Sequence, residues 1–573
     1  MGGFMIKENK RRPKSRNKSL ATQIALVILS IWLCYNIALS WNTKQNASQF
    51  YQNDLAEDTQ RSTAALTDSL SRMLLLLPDE TETKQLLSPI DTTGEARLHD
   101  FGLRTRQYKI LFEVWTELHT TNSNADISIR DDIPQKIRTN PRLSTALSTN
   151  PSNLLHAYEQ YRSALARLQT FLFPWTLPYH ADHLSLHHAL SKGGRGLVFT
   201  AGTHQLPYLL TSIPILRNLG CTLPIEVLYL GPEDLSPEAQ RQLESLPGVL
   251  ARDLSLMISD EGWTLRGWAG KPFAILFSSF REVIFIDADA LFLQNPEILF
   301  EDPEYKQTGA LFFKDRRIMP EDKSGWMRKV LPAPISEMAR GSRFWKGISG
   351  HMQESGVMVV DSCRHFVSLL LVTRMNGPDR DGNKEKGLRG VYDMLFGDKE
   401  TFWLGWELSG STSYAFHKGR VGTMGTVQVN GPTRGRRLDE TDSDSIHSVS
   451  SESIEKPPRI QPALSTRPRE YTICAPQLLH LDLAGRPLWF NGWLLQDKFA
   501  DSKNQQPGKF ESFVHEQLED EKDPEKWKLH GNNVCCLSSK KVATFLEDET
   551  ETLKMMVRVA RRVGVFGSDW LDT

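Results

Sequence analysis

The run EVIFIDADALFL (282–293) sets two carboxylates, Asp287 and Asp289, inside a β-branched and aromatic stretch. Burying unpaired charge is costly, so an apolar strand rarely carries two acids without a task for them. Side chains at i and i+2 of a strand share one side. On that reading the two carboxylates converge, and they repel each other unless a cation sits between them and a ligand. Carboxylate oxygens suit Mg2+ or Mn2+, which also bridge to phosphate oxygens. A bare Asp-x-Asp also occurs at ordinary strand–turn junctions, and the apolar lead-in is what favours a metal here. In an open α/β sheet, ligands bind at the carboxyl ends of strands. A strand ending in Asp-x-Asp meets that geometry.

The surrounding elements fit such a sheet. GLVFTAG (196–202) reads as a short strand ending in small residues, followed by a helix-like LPYLLTSIPILRNLG (206–220) and the strand IEVLYLG (225–231). A helix over AQRQLESL (239–246) and a segment through Lys271 lead into the acidic strand. Alternating strands and helices argue for a parallel-type α/β sheet. Ahead of it, residues 101–190 have helical periodicity, clearest in 108–119 and 154–173, and are expected to form a helical lobe. A hairpin of helices that binds a partner is the alternative reading. Residues 434–470 are rich in Ser, Pro and charge and read as a disordered insertion in a catalytic domain of 191–545. A C-terminal segment, 546–573, follows.

The first hundred residues suggest a compartment. Within 7–18 stand Lys7, Lys10, Arg11, Arg12, Lys14, Arg16 and Lys18, with Glu8 as the only acid; Leu20 to Trp41 then carries no charge. Roughly 20 apolar residues span the hydrocarbon core as a helix, and the basic flank stays cytoplasmic. The expectation is a cytoplasmic tail (1–19), a single transmembrane anchor (20–41), a polar stem (42–100) and a lumenal catalytic mass. A cleaved signal peptide would have a shorter apolar region, of about 7–15 residues. Asn46-Ala47-Ser48 is a glycosylation sequon consistent with a lumenal stem. Asn17-Lys18-Ser19 has the same pattern on the cytoplasmic side.

Lys+Arg 68 against Asp+Glu 69 leaves a formal charge of −1. That balance argues against nucleic-acid binding, which calls for a basic stripe or domain. Six cysteines are too few for a disulfide scaffold. One or two disulfides fit an oxidising lumen, though spacing alone does not pair them.

FIDADALFLQNPEILFED (285–302) with TGALFFKDR (308–316) resembles the signature of the fungal α-1,3-mannosyltransferase family. QESGVMVVD (353–361), FGDKETFWLGW (396–406) and HLDLAGRPLWFNGW (480–493) follow in the matching order. The resemblance covers about residues 195–495. It implies a glycosyltransferase-A fold, a Rossmann-like nucleotide-sugar-binding α/β domain, in a single-pass type II protein of the Golgi membrane. It also implies GDP-mannose as donor, a mannose-containing glycan as acceptor and Mn2+ or Mg2+ as cofactor. By this resemblance Asp289 ligands the metal, Asp287 contacts the metal or the donor ribose, and His480 is a third metal ligand. Asn491 and Gly492 would help hold the diphosphate, and Thr200, Ala201 and Gly202 would face the nucleoside. Lys271 would balance the diphosphate as a point charge. Glu354, Ser355 and Gly356, placed just before an apolar strand, would line the sugar pocket. Asp398 would join the catalytic pocket, against the plainer reading of a helix N-cap.

Transfer of an α-linked mannose into an α linkage retains configuration. Departure of GDP develops charge on the β-phosphate, which the cation stabilises. Glu354 or Asp398 could stabilise an oxocarbenium-like centre. Attack from the leaving-group face is preferred to a covalent adduct, because no residue demands the nucleophile's role. Two rivals stand beside this reading: a UDP-sugar transferase with the same metal site, and a non-catalytic anchored subunit of a transferase complex. A nuclease or phosphatase fits neither the anchor nor the ordered motifs.

Overall fold

A computed structural model describes residues 63–123, 126–176, 179–430, 470–497, 505–517, 527–531 and 534–566. The tail, the anchor segment 20–41 and both sequons lie outside the described residues, as does the insertion up to residue 469. Among the described residues no helix is long and apolar enough to cross a membrane.

The chain divides into two compact units, residues 1–76 with 132–158, and residues 77–131 with 159–573. Within its described residues the first unit is helical: 63–76, Ile133–Thr139, Pro141–Ala146 and the opening of Pro151–Leu172. Its apolar side chains Leu66, Leu70, Ile133, Ile137 and Leu143 are buried.

The second unit carries the sheets. Its helices used below are α1 (Gly94–His119), α2 (Leu206–Asn218), α3 (Gly270–Phe277), α4 (Phe366–Asn376), α5 (Thr401–Leu408) and α6 (Glu547–Arg562). Helix α1 begins inside the stretch assigned to the stem. Its Phe112 stacks on Phe366 of α4 at 5.3 Å. A hairpin, Thr120–Ser123 with Asp126–Ile129, follows α1 and is absent from the sequence reading.

The main sheet is built from β1 (Arg195–Thr200), β2 (Ile225–Tyr229), β3 (Val249–Asp253), β4 (Glu282–Ile286), β6 (Ala310–Lys314), β7 (Gln353–Asp361) and β8 (Ala415–Phe416). Between β4 and β6 in the chain lies β5 (Ala290–Phe292), which belongs to another sheet. The main-sheet order is β8-β6-β7-β4-β1-β2-β3. Strands β4, β1, β2 and β3 run parallel, as expected from the alternation of strands and helices. Strand β7 is antiparallel to both β4 and β6, so the sheet is mixed. All nine residues of β7 are buried. A strand covered on both faces reads as a continuous apolar run rather than an alternation.

A six-stranded antiparallel sheet, ordered Ala543–Thr544, Ser512–His515, Val421–Gly425, Leu478–Leu481, Pro487–Asn491 and β5, was not evident from the sequence. Helix α2 serves both sheets: Leu209 and Ile213 belong to the core with Ile284 and Ile286, while Ile215 packs with Leu291, Leu479 and Met556. Within its described residues the C-terminal segment forms helix α6, whose Leu553 and Met556 share this second core. A four-stranded sheet pairs Glu470–Ala475 with Cys535–Ser539, and Cys474 and Cys536 form a disulfide across it. This settles a pairing that cysteine spacing left open. Cys221, Cys363 and Cys535 are free thiols.

Candidate functional site

The acidic motif does not lie on one continuous strand. Strand β4 ends at Ile286, the chain turns through Asp287-Ala288-Asp289 with the Ala290 amide donating to the Asp287 carbonyl (3.0 Å), and β5 then enters the second sheet. The two acids are brought together by this turn, where two sheets part company, and not by the side-chain alternation of a strand. Ala288 between them is buried, whereas Asp287 and Asp289 are half-buried. Both acids line one cleft of about 440 Å3.

The cleft opens at the carboxyl ends of β1 and β2. Thr200, Ala201 and Gly202 form one wall, with Leu228, Tyr229 and Leu230 beside them. Trp268, Gly270 and Lys271, from the turn into α3, form another. Helix α3 is apolar apart from Lys271 and is buried throughout. A helix that is hydrophobic all round seeks such a place, and its first turn carries the lysine to the acids. Sequence reasoning thus places Thr200, Ala201, Gly202, Lys271, Asp287 and Asp289 in a single cavity.

Lys271 is only 3% exposed, and its Nζ donates to Asp287 Oδ2 at 2.7 Å and to Ser355 Oγ at 3.1 Å. It also lies 3.3 Å from Asp398 Oδ2. Burial alone would lower its pKa, but Asp287 and Asp398 hold it above the usual lysine value. Burial pushes the Asp287 carboxyl above the ordinary carboxylate range, Lys271 opposes this, and the charge of Asp289 adds to it. The ammonium therefore answers two of this chain's own carboxylates.

Glu354, Ser355 and Gly356 lie within β7 rather than ahead of it. Glu354 is buried behind the cleft wall. Its Oε1 accepts from Asn491 Nδ2 (2.8 Å) and from the Gly356 amide (2.9 Å), and its Oε2 accepts from Lys399 (3.1 Å). Burial opposes ionisation of Glu354, yet Lys399 and the Asn491 amide hold its carboxyl below the ordinary range. Gly356 leaves no room for a side chain: an added Cβ would lie 2.9 Å from Asn491 Nδ2 and 3.0 Å from Glu354 Oε1. Its carbonyl accepts from the Asp287 amide at 2.7 Å, tying β7 to the acidic turn. Asn491 Oδ1 accepts from the Gly492 amide, so both ends of its side chain are occupied. Asp398 precedes α5, which starts at Thr401, and its side chain caps no helix. It stands behind Lys271, away from the cleft surface.

His480 does not join the acids. Strand Leu478–Leu481 buries it, stacked on Trp489 at 4.1 Å and edge-on to Phe313, with Nε2 lacking a hydrogen-bond partner. Desolvation depresses its pKa to about 3, so the ring is neutral. Among the described residues no three His, Cys, Asp or Glu side chains gather as a metal cluster. The acidic turn thus offers the cleft two carboxylates, Asp287 and Asp289. Hard oxygen donors of this kind suit Mg2+ or Mn2+ when ligand phosphates and water complete the coordination.

Residues 194–482, about half of the chain, match the family model described as "Mannosyltransferase putative". The chain belongs to this mannosyltransferase family. It is 30% identical over 259 residues to "Putative alpha-1,3-mannosyltransferase MNN14" of Candida albicans, across 41% of this chain and 36% of that protein. It is 25% identical over 357 residues to alpha-1,3-mannosyltransferase MNT3 of Saccharomyces cerevisiae, across 56% of this chain and 50% of that one. The chain thus spans half or less of the length of these curated relatives. Core-mannan synthase A of Aspergillus fumigatus, solved in a Mn/GDP form, aligns at 12% identity over 39% of this chain and 73% of its own, with a TM-score of 0.23. That likeness is too slight to bear on function.

The mannosyltransferase match spans every cleft residue named so far. Sequence reasoning missed several others that share the cleft: Gln205, Tyr208, Asp234 and Trp268. Asp234 follows β2 and its carboxylate accepts from the Leu230 amide at 2.9 Å. Its signal was available, since a loop after a parallel strand is where ligands bind. Trp268 is 69% exposed although large and apolar, which only a structure reveals.

Proposed function

We propose that the protein transfers mannose from GDP-mannose to a mannoside of a glycan, probing the donor with the cleft that Asp287 and Asp289 share. The observation that carries this reading is that one cavity holds both acids and the carboxyl ends of two parallel strands, in a chain of the mannosyltransferase family. The domain is read as a glycosyltransferase-A fold, and the N-terminal segment as a Golgi membrane anchor with the catalytic domain in the lumen. Family membership supports α-1,3 linkage as the bond formed.

In this proposal the strand-end backbone at Thr200, Ala201 and Gly202 receives the nucleoside, with Tyr229 and Trp268 as aromatic walls. Asp287 and Asp289 would hold a divalent ion, which supplies a Lewis acid for the departing diphosphate when bound. Lys271 holds Asp287 in place and opposes the burial that raises its carboxyl, and Ser355 and Asp398 fix Lys271. Glu354 acts through Gly356 and Asn491 as a positioning residue, because its carboxylate is fully engaged behind the wall. The bond from the anomeric carbon to phosphate breaks as the acceptor oxygen bonds to the same face, and the acceptor proton passes to the departing phosphate oxygen. The tied carboxylates of Glu354 and Asp398 favour this route over a covalent adduct.

The full chain, incubated with GDP-mannose or a UDP-hexose, Mn2+ and a panel of α-mannosides, tests the reading by linkage analysis of the product. Mannose transfer is expected from GDP-mannose, lost on chelation and restored by Mn2+. A fall of at least 100-fold is expected in Asp289→Ala, the size seen when a transition-state charge partner is removed. Transfer from the UDP-sugar alone, or equal activity in a folded Asp289→Ala protein, overturns it.

A further inference from the structure

A second cleft of about 280 Å3, lined by Met319, Lys323, His351, Tyr392 and Phe396, is separate in its lining from the donor cleft. One short loop joins the two. Asp398 lies 3.3 Å from Lys271 in the donor wall, and Lys399 binds Asp315 and Glu354. Gly397 adopts φ +70, and a Cβ added there would lie 3.7 Å from the Trp268 ring. That left-handed turn lets Phe396 line the second cleft while Asp398, two residues on, reaches Lys271 from behind the wall of the first.

Phe396 is 72% exposed and Met319 59% exposed. Both line the same cleft. The Phe396 ring is held from behind by His351, edge-on at 5.4 Å, and His351 is itself 7% exposed, with Nδ1 lacking a hydrogen-bond partner. The ring thus has an edge contact with His351 and is otherwise largely open to solvent. A pyranose offers a face of slightly positive C–H groups, which packs on the negative face of an aromatic ring. The rim carries Lys323, paired with Glu321 at 3.5 Å, and Asp393, charged groups that suit the hydroxyls around such a ring.

We propose that this second cleft is the acceptor site, and that Phe396 is the platform on which the terminal mannoside of the acceptor glycan stacks. The proposal rests on the reading of the protein as a mannosyltransferase. The loop 396–399 then couples the two substrates: it carries the acceptor platform at one end and the partner of Lys271 at the other.

Kinetics of the full chain with methyl α-mannoside and an α-linked mannobiose, together with saturation-transfer NMR of the mannobiose, test the site. In Phe396→Ala the acceptor KM is expected to rise about tenfold, as truncation of an aromatic anchor does, with the GDP-mannose KM within twofold. Phe396→Trp is expected to restore the acceptor KM, and the mannobiose NMR signal should vanish in the alanine variant only. An acceptor KM within twofold of the unsubstituted protein in a folded Phe396→Ala overturns the proposal. If the unsubstituted chain transfers no mannose, the function reading fails by itself. The NMR arm then decides the site: binding lost in Phe396→Ala upholds it, and no binding refutes it.

Discussion

Lys399→Met removes one cation that two buried carboxylates share. Lys399 Nζ lies 2.8 Å from Asp315 Oδ2 and 3.1 Å from Glu354 Oε2, and both acid side chains are at most 3% exposed. With an effective dielectric of about 20 these contacts are worth about 6 and about 5 kcal/mol in gross attraction. Much of that offsets the cost of drying the charges. Removing one partner of a buried pair typically costs about 3–5 kcal/mol. Lys399 retains 29% exposure, Arg316 lies 3.9 Å from Asp315, and Asn491 still bonds Glu354, so the lower figure, about 3 kcal/mol, is expected at pH 7. The sign with pH distinguishes this cause from simple loss of packing. Burial opposes ionisation of Asp315 and Glu354, but Lys399 leads the groups that hold both below the ordinary carboxylate range. In the unsubstituted protein their stabilisation is present above the unfolded pKa, about 4, and is lost as pH falls through the folded values. Without Lys399, burial acts on the same carboxyls with less opposition and shifts them upward, so the folded variant takes up protons at higher pH than the unsubstituted protein. The deficit of Lys399→Met should therefore shrink as pH falls, in urea unfolding at pH 7, 6 and 5. A loss under about 1 kcal/mol, against the expectation for a broken buried pair, or a loss constant with pH, refutes the electrostatic account.

Two further outcomes follow from packing and covalent structure. Gly356→Ala places a Cβ 2.9 Å from Asn491 Nδ2 and 3.2 Å from Trp489, and should cost about 1–3 kcal/mol of stability by overpacking. Because the Gly356 carbonyl holds the Asp287 amide, mannose transfer should fall as well; full activity with a reduced midpoint of thermal unfolding would separate β7 from the acidic turn. Cys474→Ala with Cys536→Ala opens a link between residues 62 apart, worth about 4 kcal/mol by loop entropy. The double variant should unfold at visibly lower urea, and a shift equivalent to under about 1 kcal/mol would mean that the denatured chain is constrained by something else.

How far the sequence reached is set by the range over which each interaction acts. Strands β1, β2 and β4 announce themselves as short apolar runs, and their carboxyl ends delivered Thr200 to Gly202 and the acidic pair to one cleft. Lys271 was found in the segment that leads to that strand, but its partners were not. Pairing with Asp287, Ser355 and Asp398 depends on contacts across 16, 84 and 127 residues, which local periodicity does not encode. The same limit made EVIFIDADALFL look like one strand. Its apolar residues satisfy two sheets in turn, and only the partner of β5, the strand Pro487–Asn491, shows where the first sheet ends. That partner also decides the fate of His480. Cross-strand pairing sets His480 against Trp489, and the ring is spent on packing inside the second sheet. A histidine in a matching motif thus carried the right neighbourhood but not its direction, because direction is fixed by the register between its strand and Pro487–Asn491, which residue types along the motif do not encode. The acids escape this ambiguity. They occupy the turn between sheets, where no partner strand covers their side chains and a ligand can reach them.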